Sequence, residues 1–182
     1  MKFFRLLIVM LSMLAAAIAT AAERPVFVIP VHTEIDNSAF HHFRQGLRQA
    51  KEADASMLLV HLNTYGGAID AADSIRTAIM RCELPTVAFV DVNAASAGAL
   101  IALACDSVYM APGASMGSAT VVNGSGEPMP EKYQSYMSTI MRATAEHHGK
   151  RADGDSMVWR RSPEIAASMV NPDMSVSLTT RQ

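Results

Sequence analysis

The sequence predicts a single α/β domain built on a parallel sheet, and two observations lead to this prediction. Runs of apolar and β-branched residues alternate along the chain with segments whose apolar residues recur at helical spacing. This alternation implies parallel strands joined by right-handed crossover helices. The strands are continuous apolar runs, which predicts a sheet covered on both faces. A length of 182 residues suits one domain with a sizeable core.

The first half of the chain carries the regular part of this pattern. The strands are rich in valine, isoleucine, leucine and phenylalanine, and the longer helices have one apolar side. Short loops of small and turn-forming residues follow the second and third strands. The predicted elements are, in order, strands 24–31, 57–62, 86–92 and 107–110, alternating with helices 37–53, 68–82 and 96–104.

The second half of the chain departs from the alternation. Residues 111–130 are mostly glycine, serine, proline and other small residues, which predicts a long loop, and long loops in compact domains are usually functional. A helix is predicted from Pro130 to about His148, because proline suits a first helical turn and Gly149 suits the end. Beyond it the chain is polar, with a short helix predicted at 163–169.

The N-terminus has the pattern of a secretory signal peptide, predicted over residues 1–21. Lys2 and Arg5 precede an apolar stretch at 6–18, and small residues follow at the cleavage position. This stretch is shorter than the roughly 20 residues that a membrane span needs. An uncleaved N-terminal anchor is the alternative. In either case residues 22–182 are expected to be exported, on the periplasmic or extracytoplasmic side of the membrane.

Composition and spacing exclude several kinds of site. The net charge is −2 and the basic residues form no stripe, so no nucleic-acid partner is expected. The spacing of Cys82 and Cys105 is not that of a metal motif. Two pairs of histidines are adjacent in the sequence, and the two rings of each pair point about 100° apart on a helix. We therefore expect no metal and no cofactor. An exported protein can pair two cysteines, and the sequence leaves that pairing open.

Three pieces of the sequence have the residue types that catalysis needs. Gly66 and Gly67 follow the second strand, Ser96 follows the third strand, and Lys132 lies in the first turn of a later helix. Because the carboxyl ends of parallel strands meet at one edge of a sheet, the glycines and the serine are expected together. Sequence alone does not place Lys132.

A serine nucleophile needs a base to accept its proton. No histidine lies in residues 97–146, where the ordinary histidine partner of this kind of serine would be expected. Lysine is the other recognised base when it is neutral, and the positive end of a helix dipole disfavours the ammonium form of Lys132. No other lysine lies between Lys51 and Lys150. We therefore expect Ser96 as nucleophile and Lys132 as general base.

An acyl-transfer site also needs donors for the oxyanion of the intermediate. The backbone N–H groups of Gly66, Gly67 and Ala97 are the candidates, since glycine allows close approach and Ala97 begins a helix. Each feature alone has an ordinary structural explanation: a Gly-Gly turn, a serine N-cap and a solvated lysine. Their order along the chain is what favours a catalytic site.

Four motifs, in this order, resemble those of the NfeD-type membrane-associated serine proteases, a branch of the ClpP class. The resemblance runs from about Val26 to Met174 and implies a ClpP/crotonase fold of repeated ββα units. The motifs are 63–72 around the glycine pair, 94–98 around Ser96, 110–118 after the fourth strand and 130–133 around Lys132.

The resemblance also implies a function. It implies a Ser–Lys endopeptidase, without metal or nucleotide, that cuts hydrophobic segments of membrane-associated, stomatin-like proteins and self-associates as a dimer or larger assembly. Two features depart from the family. Tyr65 stands where the glycine pair is usually preceded by proline, and the C-terminal membrane domain of many family chains is absent from these 182 residues. Family chains usually continue past 171–173 with a segment that closes the fold.

Three alternatives remain beside the endopeptidase. A signal-peptide peptidase of the same fold usually has a different spacing from serine to lysine. A crotonase-like enzyme would share the oxyanion hole and act on acyl thioesters, but its substrate is cytoplasmic. A non-catalytic scaffold or binding protein would keep the fold and would bind its partner equally well without the Ser96 hydroxyl.

Overall fold

The computed structural model describes residues 24–173 and 176–180, so the predicted signal peptide lies outside the described residues. The strands are β1 Val26–Val31, β2 Met57–Thr64, β3 Thr86–Ala95, β4 Ser107–Met110, β5 Ser115–Gly117, β6 Lys150–Asp153, β7 Ser156–Trp159 and β8 Ser177–Thr179. The helices are α1 Asn37–Glu52, α2 Ile69–Met80, α3 Ala97–Ala104, α4 Glu131–His147 and α5 Pro163–Ser168.

The main sheet has the order β1-β2-β3-β5-β8, and β4 also pairs with β3. The pairings of β1, β2, β3, β4 and β5 with one another are parallel, and β8 joins β5 in antiparallel orientation. The predicted α/β fold with a parallel sheet is therefore confirmed. Among the described helices, none is long and apolar enough to cross a membrane.

The core lies between one face of the sheet and the crossover helices. Alternate strand residues point into it and are fully buried, including Leu58, Val60 and Leu62 of β2. All eight residues of α3 are buried, so this short helix is the centre of the domain. Its position matters for function, because α3 begins immediately after Ser96.

The opposite face of the sheet is here called the outer face. It is formed by the strand residues that alternate with the buried ones: Val26, Val28, Leu59, Val87, Phe89 and Tyr109. Val26 and Val28 are half exposed, and Tyr109 is 63% exposed. The prediction that both faces are covered is therefore wrong. The strands β1 to β4 are added in one direction across the sheet, and successive right-handed crossovers then place their helices on the same side.

Three short pairings were not expected from the sequence. Residues 111–130 contain β5, the polar region after Gly149 contains the antiparallel hairpin β6–β7, and β8 closes the sheet after residue 176. Strands of three or four residues show no reliable alternation, so their pattern cannot be distinguished from a loop. After 171–173 the described residues add only the short strand β8, which pairs with β5.

Both cysteines are free thiols in the structure. Cys105 is fully buried, its Sγ donates to the carbonyl of Ile101, and burial raises the pKa of the thiol to about 12. Cys82 is only partly buried. The described residues contain no group of three or more histidine, cysteine, aspartate or glutamate side chains placed to hold a metal ion.

Candidate active site

Ser96 lies at the junction between the end of β3 and the start of α3. Its backbone is in an unusual conformation, with φ 53° and ψ −120°, which costs a residue with a Cβ on the order of 1–3 kcal/mol. Two hydrogen bonds hold this conformation: the Ser96 N–H donates to the Gly117 carbonyl at 2.8 Å, and the Ala99 N–H donates to the Ser96 carbonyl at 2.9 Å. A strained, well-anchored backbone of this kind is typical of functional positions.

An irregularity in β3 sets the position of Ser96. Leu62 pairs with Val90, but Thr64 pairs with Ala94, so β3 carries two extra residues between these pairs. Asp91 and Val92 lie in this stretch and are exposed. Bulges re-aim the strand that contains them. Before the bulge β3 pairs with β4, and after it β3 pairs with β5, whose Gly117 anchors Ser96.

Gly66 packs directly against the nucleophile candidate. A Cβ built on Gly66 would lie 2.7 Å from the Ser96 Cβ and 3.2 Å from the Ser96 Oγ, and Gly66 has a φ of 114°. Only glycine therefore fits at this place without displacing the serine. The structure brings the glycine pair and the serine together, as the argument from a shared sheet edge predicts.

The three predicted backbone donors differ in their partners. The N–H of Gly66 donates to the Thr64 Oγ1 at 3.1 Å, so it is already engaged. The N–H groups of Gly67 and Ala97 have no acceptor within residues 24–173 and 176–180. Gly67 and Ala97 are therefore the two candidates whose N–H groups are available to a bound carbonyl. Gly66 instead allows the glycine loop to lie close to Ser96.

Thr64 is a site residue that the sequence did not single out. Its side chain is buried, donates to the Thr33 carbonyl at 2.7 Å and accepts from the Gly66 N–H. A Cβ on Gly98 would lie 2.8 Å from the Thr64 Cγ2, so this glycine lets α3 approach β2. Thr64 thereby ties together the glycine loop, α3 and the chain after β1. The sequence feature that could have identified it is a threonine at the end of a strand predicted to be buried.

Lys132 lies in the first turn of α4, as predicted, and its side chain is exposed. Its Nζ lies 4.9 Å above the centre of the Tyr133 ring, a cation–π contact. Within the described residues no hydrogen bond joins the Lys132 Nζ to the Ser96 Oγ, and none joins any histidine to that hydroxyl. The Ser96 side chain is partly exposed, so a base can reach it from solvent.

A buried glutamine fixes the segment that leads into Lys132. The Gln134 Oε1 accepts from the Val121 N–H at 2.9 Å, and its Nε2 donates to the carbonyls of Val121 and Met129 at 2.7 and 3.0 Å. The same segment is tied to the end of the chain, since the Ala119 N–H donates to the Met169 carbonyl. Gln134, which the sequence did not single out, therefore sets where α4 begins.

A pocket of about 580 Å³ lies beside the glycine pair, at the carboxyl ends of β1, β2 and β3. Tyr65, which precedes the glycines, is 84% exposed at this pocket, and Val92 is half exposed there. Exposed apolar groups next to available N–H donors are suited to an extended peptide. The pocket is lined by the glycine pair, and Ser96 adjoins it through its contact with Gly66.

Comparison with known proteins identifies relatives of the whole described domain. The family model of the NfeD1b N-terminal domain matches residues 25–181. The membrane protein NfeD1b of Bacillus subtilis is 34% identical over 168 residues, which are 92% of this chain and 36% of that protein. The membrane-bound protease PH1510 of Pyrococcus horikoshii is 28% identical over 181 residues, which are 95% of this chain and 38% of that protein. The chain thus spans well under half the length of these relatives.

Solved structures give the same result for the fold. Two structures of the membrane-bound stomatin-specific protease 1510-N each cover 88% of this chain. A serine-to-alanine variant matches with a TM-score of 0.72 at 26% identity over 75% of its chain, and a lysine-to-alanine variant with a substrate peptide matches with 0.74 at 25% identity over 71%. ClpP1 from Listeria monocytogenes, at 14% identity, covers 85% of this chain and 83% of its own with a TM-score of 0.60 and shares the fold. The ClpP-like fold that the sequence resemblance implies is confirmed.

Proposed function

The chain belongs to the NfeD1b N-terminal domain family, and from this membership and the geometry around Ser96 we propose that it is a serine endopeptidase. The membership confirms the family resemblance found in the sequence. The single observation that carries the proposal is the contact of Gly66 with a strained, anchored Ser96 beside two available N–H donors. Acyl transfer requires a nucleophilic hydroxyl next to hydrogen-bond donors for the oxyanion.

Ser96 is the proposed nucleophile, and Lys132 is the proposed general base. The reaction begins when the lysine amine accepts the hydroxyl proton as Oγ bonds to the peptide carbonyl carbon. The negative charge on the carbonyl oxygen is then held by the N–H groups of Gly67 and Ala97. The lysine returns its proton to the leaving amine, and water later releases the acyl group. The solved 1510-N variants, in which a serine and a lysine are replaced, support the same two residue types.

The position of Lys132 makes substrate binding part of this mechanism. Its ammonium group now rests on Tyr133 in solvent, and desolvation is what would favour the neutral amine. An apolar peptide lying between the glycine pair and α4 would exclude water from the Lys132 amine and from the Ser96 hydroxyl. This requirement favours hydrophobic segments as substrates.

The proposed substrates are hydrophobic segments of membrane-associated, stomatin-like proteins. PH1510 is named a membrane-bound protease and 1510-N a stomatin-specific one, and we extend that specificity to this chain. The proposed setting is the extracytoplasmic side of a membrane, and the proposed assembly is a dimer. Light scattering during gel filtration measures the assembly, and a monomer at all concentrations would contradict that part.

The decisive experiment is the reaction of the chain with a fluorophosphonate, followed by intact mass and peptide mapping. We expect one label per chain on Ser96, no label in Ser96→Ala, and a rate lower on the order of 10²–10⁴-fold in Lys132→Ala. Lys150→Ala is the matched control, because the Lys150 Nζ also lies over an aromatic ring, at 4.6 Å. Labelling of Ser96→Ala at the wild-type rate would overturn the nucleophile, and equal rates for the two lysine variants would overturn the base.

A second candidate function is a non-catalytic binding protein of the same fold. The observation that favours it is the exposed Lys132, which lies on Tyr133 and makes no hydrogen bond to Ser96 among the described residues. Binding of an apolar peptide is measured by fluorescence anisotropy in wild type and Ser96→Ala, together with product analysis by mass spectrometry. Equal binding by both proteins, with no cleavage by a correctly folded wild type, would establish this second function instead.

A further inference from the structure

A second pocket, of about 380 Å³, lies away from the candidate active site, between β4 and the hairpin β6–β7. Three arginines and a histidine line it, and the sole carboxylate in its lining is that of Asp106. The four basic residues are Arg151, Arg160, Arg161 and His148. This is a concentrated positive charge in a chain whose net charge is −2.

None of the three arginines has an ion-pair partner within the part of the chain that the structure describes. The Asp106 Oδ2 is occupied by the Thr86 N–H at 2.8 Å and the Thr86 Oγ1 at 2.9 Å. Three guanidinium groups face this single carboxylate, so the pocket keeps an excess of positive charge. The pocket therefore offers a favourable place to an anion from outside.

Arg161 is the arginine for which the missing counter-ion matters most. Its Nη1 donates to the carbonyl of Leu103, at the end of α3, and lies 2.8 Å from the His148 Nε2. Burial lowers the pKa of Arg161, and burial together with the Arg161 charge lowers the pKa of His148. Both shifts have burial as their largest cause, and the nearby Asp106 carboxylate opposes them without cancelling them, so a positive charge here is poorly solvated.

The number of guanidinium groups indicates the class of anion. A carboxylate has one charge and two oxygens and is satisfied by one arginine fork. A phosphate group offers more acceptor oxygens in a tetrahedral arrangement, which suits several arginines that converge from different elements. The set formed by Arg151, Arg160 and Arg161 therefore matches phosphate better than carboxylate.

The surroundings of the pocket indicate the source of the phosphate. Tyr109 lines the pocket and belongs to the outer face, where it is 63% exposed. Met157, at 63%, and Trp159, at 37%, are exposed on the hairpin beside it. Aromatic side chains next to basic ones are the composition that proteins place at the headgroup level of a membrane. We propose that this pocket binds the phosphate group of an anionic phospholipid headgroup.

The chain contains its own reporter for this contact, since Trp159 is its only tryptophan. We would titrate the full-length chain with vesicles of phosphatidylcholine alone and with vesicles containing phosphatidylglycerol. The expected result is a blue shift of Trp159 emission with the anionic vesicles, quenching by brominated lipid, and reversal by high salt. Because the signal comes from the hairpin, it reports on this region directly, which sedimentation of the chain with vesicles does not.

The test variant is Arg151→Gln/Arg160→Gln, since both side chains are exposed and their loss leaves the contact of Arg161 with Leu103 intact. The half-saturating lipid concentration is expected to rise about 30-fold, because each arginine near an anionic surface contributes roughly fivefold. The matched control is Arg44→Gln/Arg48→Gln on the exposed side of α1, with the same change in charge. The control is expected to bind as wild type does.

Four outcomes would overturn the proposal. Emission that stays constant with anionic vesicles excludes the site, even if the chain sediments with them. An equal blue shift with phosphatidylcholine alone excludes recognition of an anionic headgroup. An equal response to polyglutamate excludes phosphate chemistry and indicates an acidic protein partner. A saturable response to inorganic phosphate at the same concentration of phosphate groups excludes the lipid as the source.

Discussion

The backbone N–H of Ser96 donates a 2.8 Å hydrogen bond to the carbonyl of Gly117. This bond joins the end of β3 to β5, and β5 is in turn held by β8, because the Ser118 N–H donates to the Val176 carbonyl. Ser96 and Ser118 both have a positive φ, 53° and 48°. The candidate nucleophile is therefore held in a strained backbone by the strand that closes the sheet near the C-terminus.

The strain at Ser96 predicts that glycine is more stable than alanine at this position. Ser96→Gly removes the Cβ that makes a φ of 53° unfavourable, whereas Ser96→Ala keeps it. We expect Ser96→Gly to be more stable than Ser96→Ala by about 1 kcal/mol, offset in part by the greater freedom of unfolded glycine. Urea unfolding of both variants measures the difference, and a less stable glycine variant would show that the backbone is relaxed.

The contact of Gly66 with Ser96 predicts a loss of reactivity out of proportion to any loss of stability. Gly66→Ala places a Cβ 2.7 Å from the Ser96 Cβ, and displacement of a reacting group by about 1 Å costs on the order of 100-fold. Gly113→Ala is the control, since Gly113 also has a positive φ but no atom within 4 Å of the new Cβ. Fluorophosphonate labelling and urea unfolding are measured for both, and equal labelling rates would contradict the prediction.

The juxtaposition of Gly66 and Ser96 was predictable because it depends only on strand direction. Two apolar runs of adequate length, each followed by a turn, define parallel strands whose ends share an edge, whatever the details of the loops. The two extra residues in β3 were not predictable, because a bulge at Asp91 and Val92 keeps the strand composition and changes only the register. That register sets which strand anchors Ser96.

The engagement of the Gly66 N–H and the direction of Lys132 are decided by tertiary contacts that have no sequence pattern. The Thr64 Oγ1 accepts the N–H of Gly66 and leaves the N–H of Gly67 available. This difference depends on a hydroxyl two residues before Gly66. The Lys132 ammonium lies over the ring of its neighbour Tyr133, an exposed contact worth about 0.5–1 kcal/mol. The one-sided arrangement of the helices, by contrast, follows from strand order, which composition alone does not reveal.

The hydrogen bonds of Gln134 predict that its conversion to glutamate disorders the approach to Lys132. A carboxylate keeps the oxygen that accepts from Val121 but loses the two N–H donors to the carbonyls of Val121 and Met129. Unpaired buried groups cost about 1–3 kcal/mol each, so we expect a loss of a few kcal/mol.

Hydrogen exchange by mass spectrometry, together with urea unfolding, tests the prediction for Gln134→Glu. Exchange is expected to quicken in residues 119–130 before the rest of the domain. Gln45→Glu, which makes the same chemical change on the exposed side of α1, is expected to leave exchange unaltered. Equal stability of the two variants would mean that the segment is held by other contacts.

The lowered pKa of His148 predicts a specific loss of stability in mild acid. Its Nε2 lies 2.8 Å from the Arg161 Nη1, and burial, with the Arg161 charge, favours the neutral ring. The unfolded chain therefore binds a proton near the ordinary histidine pKa of 6.5 while the folded chain does not. Stability from this group is fully present above that pKa and is lost as the pH falls below it. We expect the free energy of unfolding of wild type to fall more steeply than that of His148→Gln between pH 7.5 and about 5.5, with the exposed His42→Gln on α1 following wild type. Parallel curves for wild type and His148→Gln would contradict a neutral buried ring.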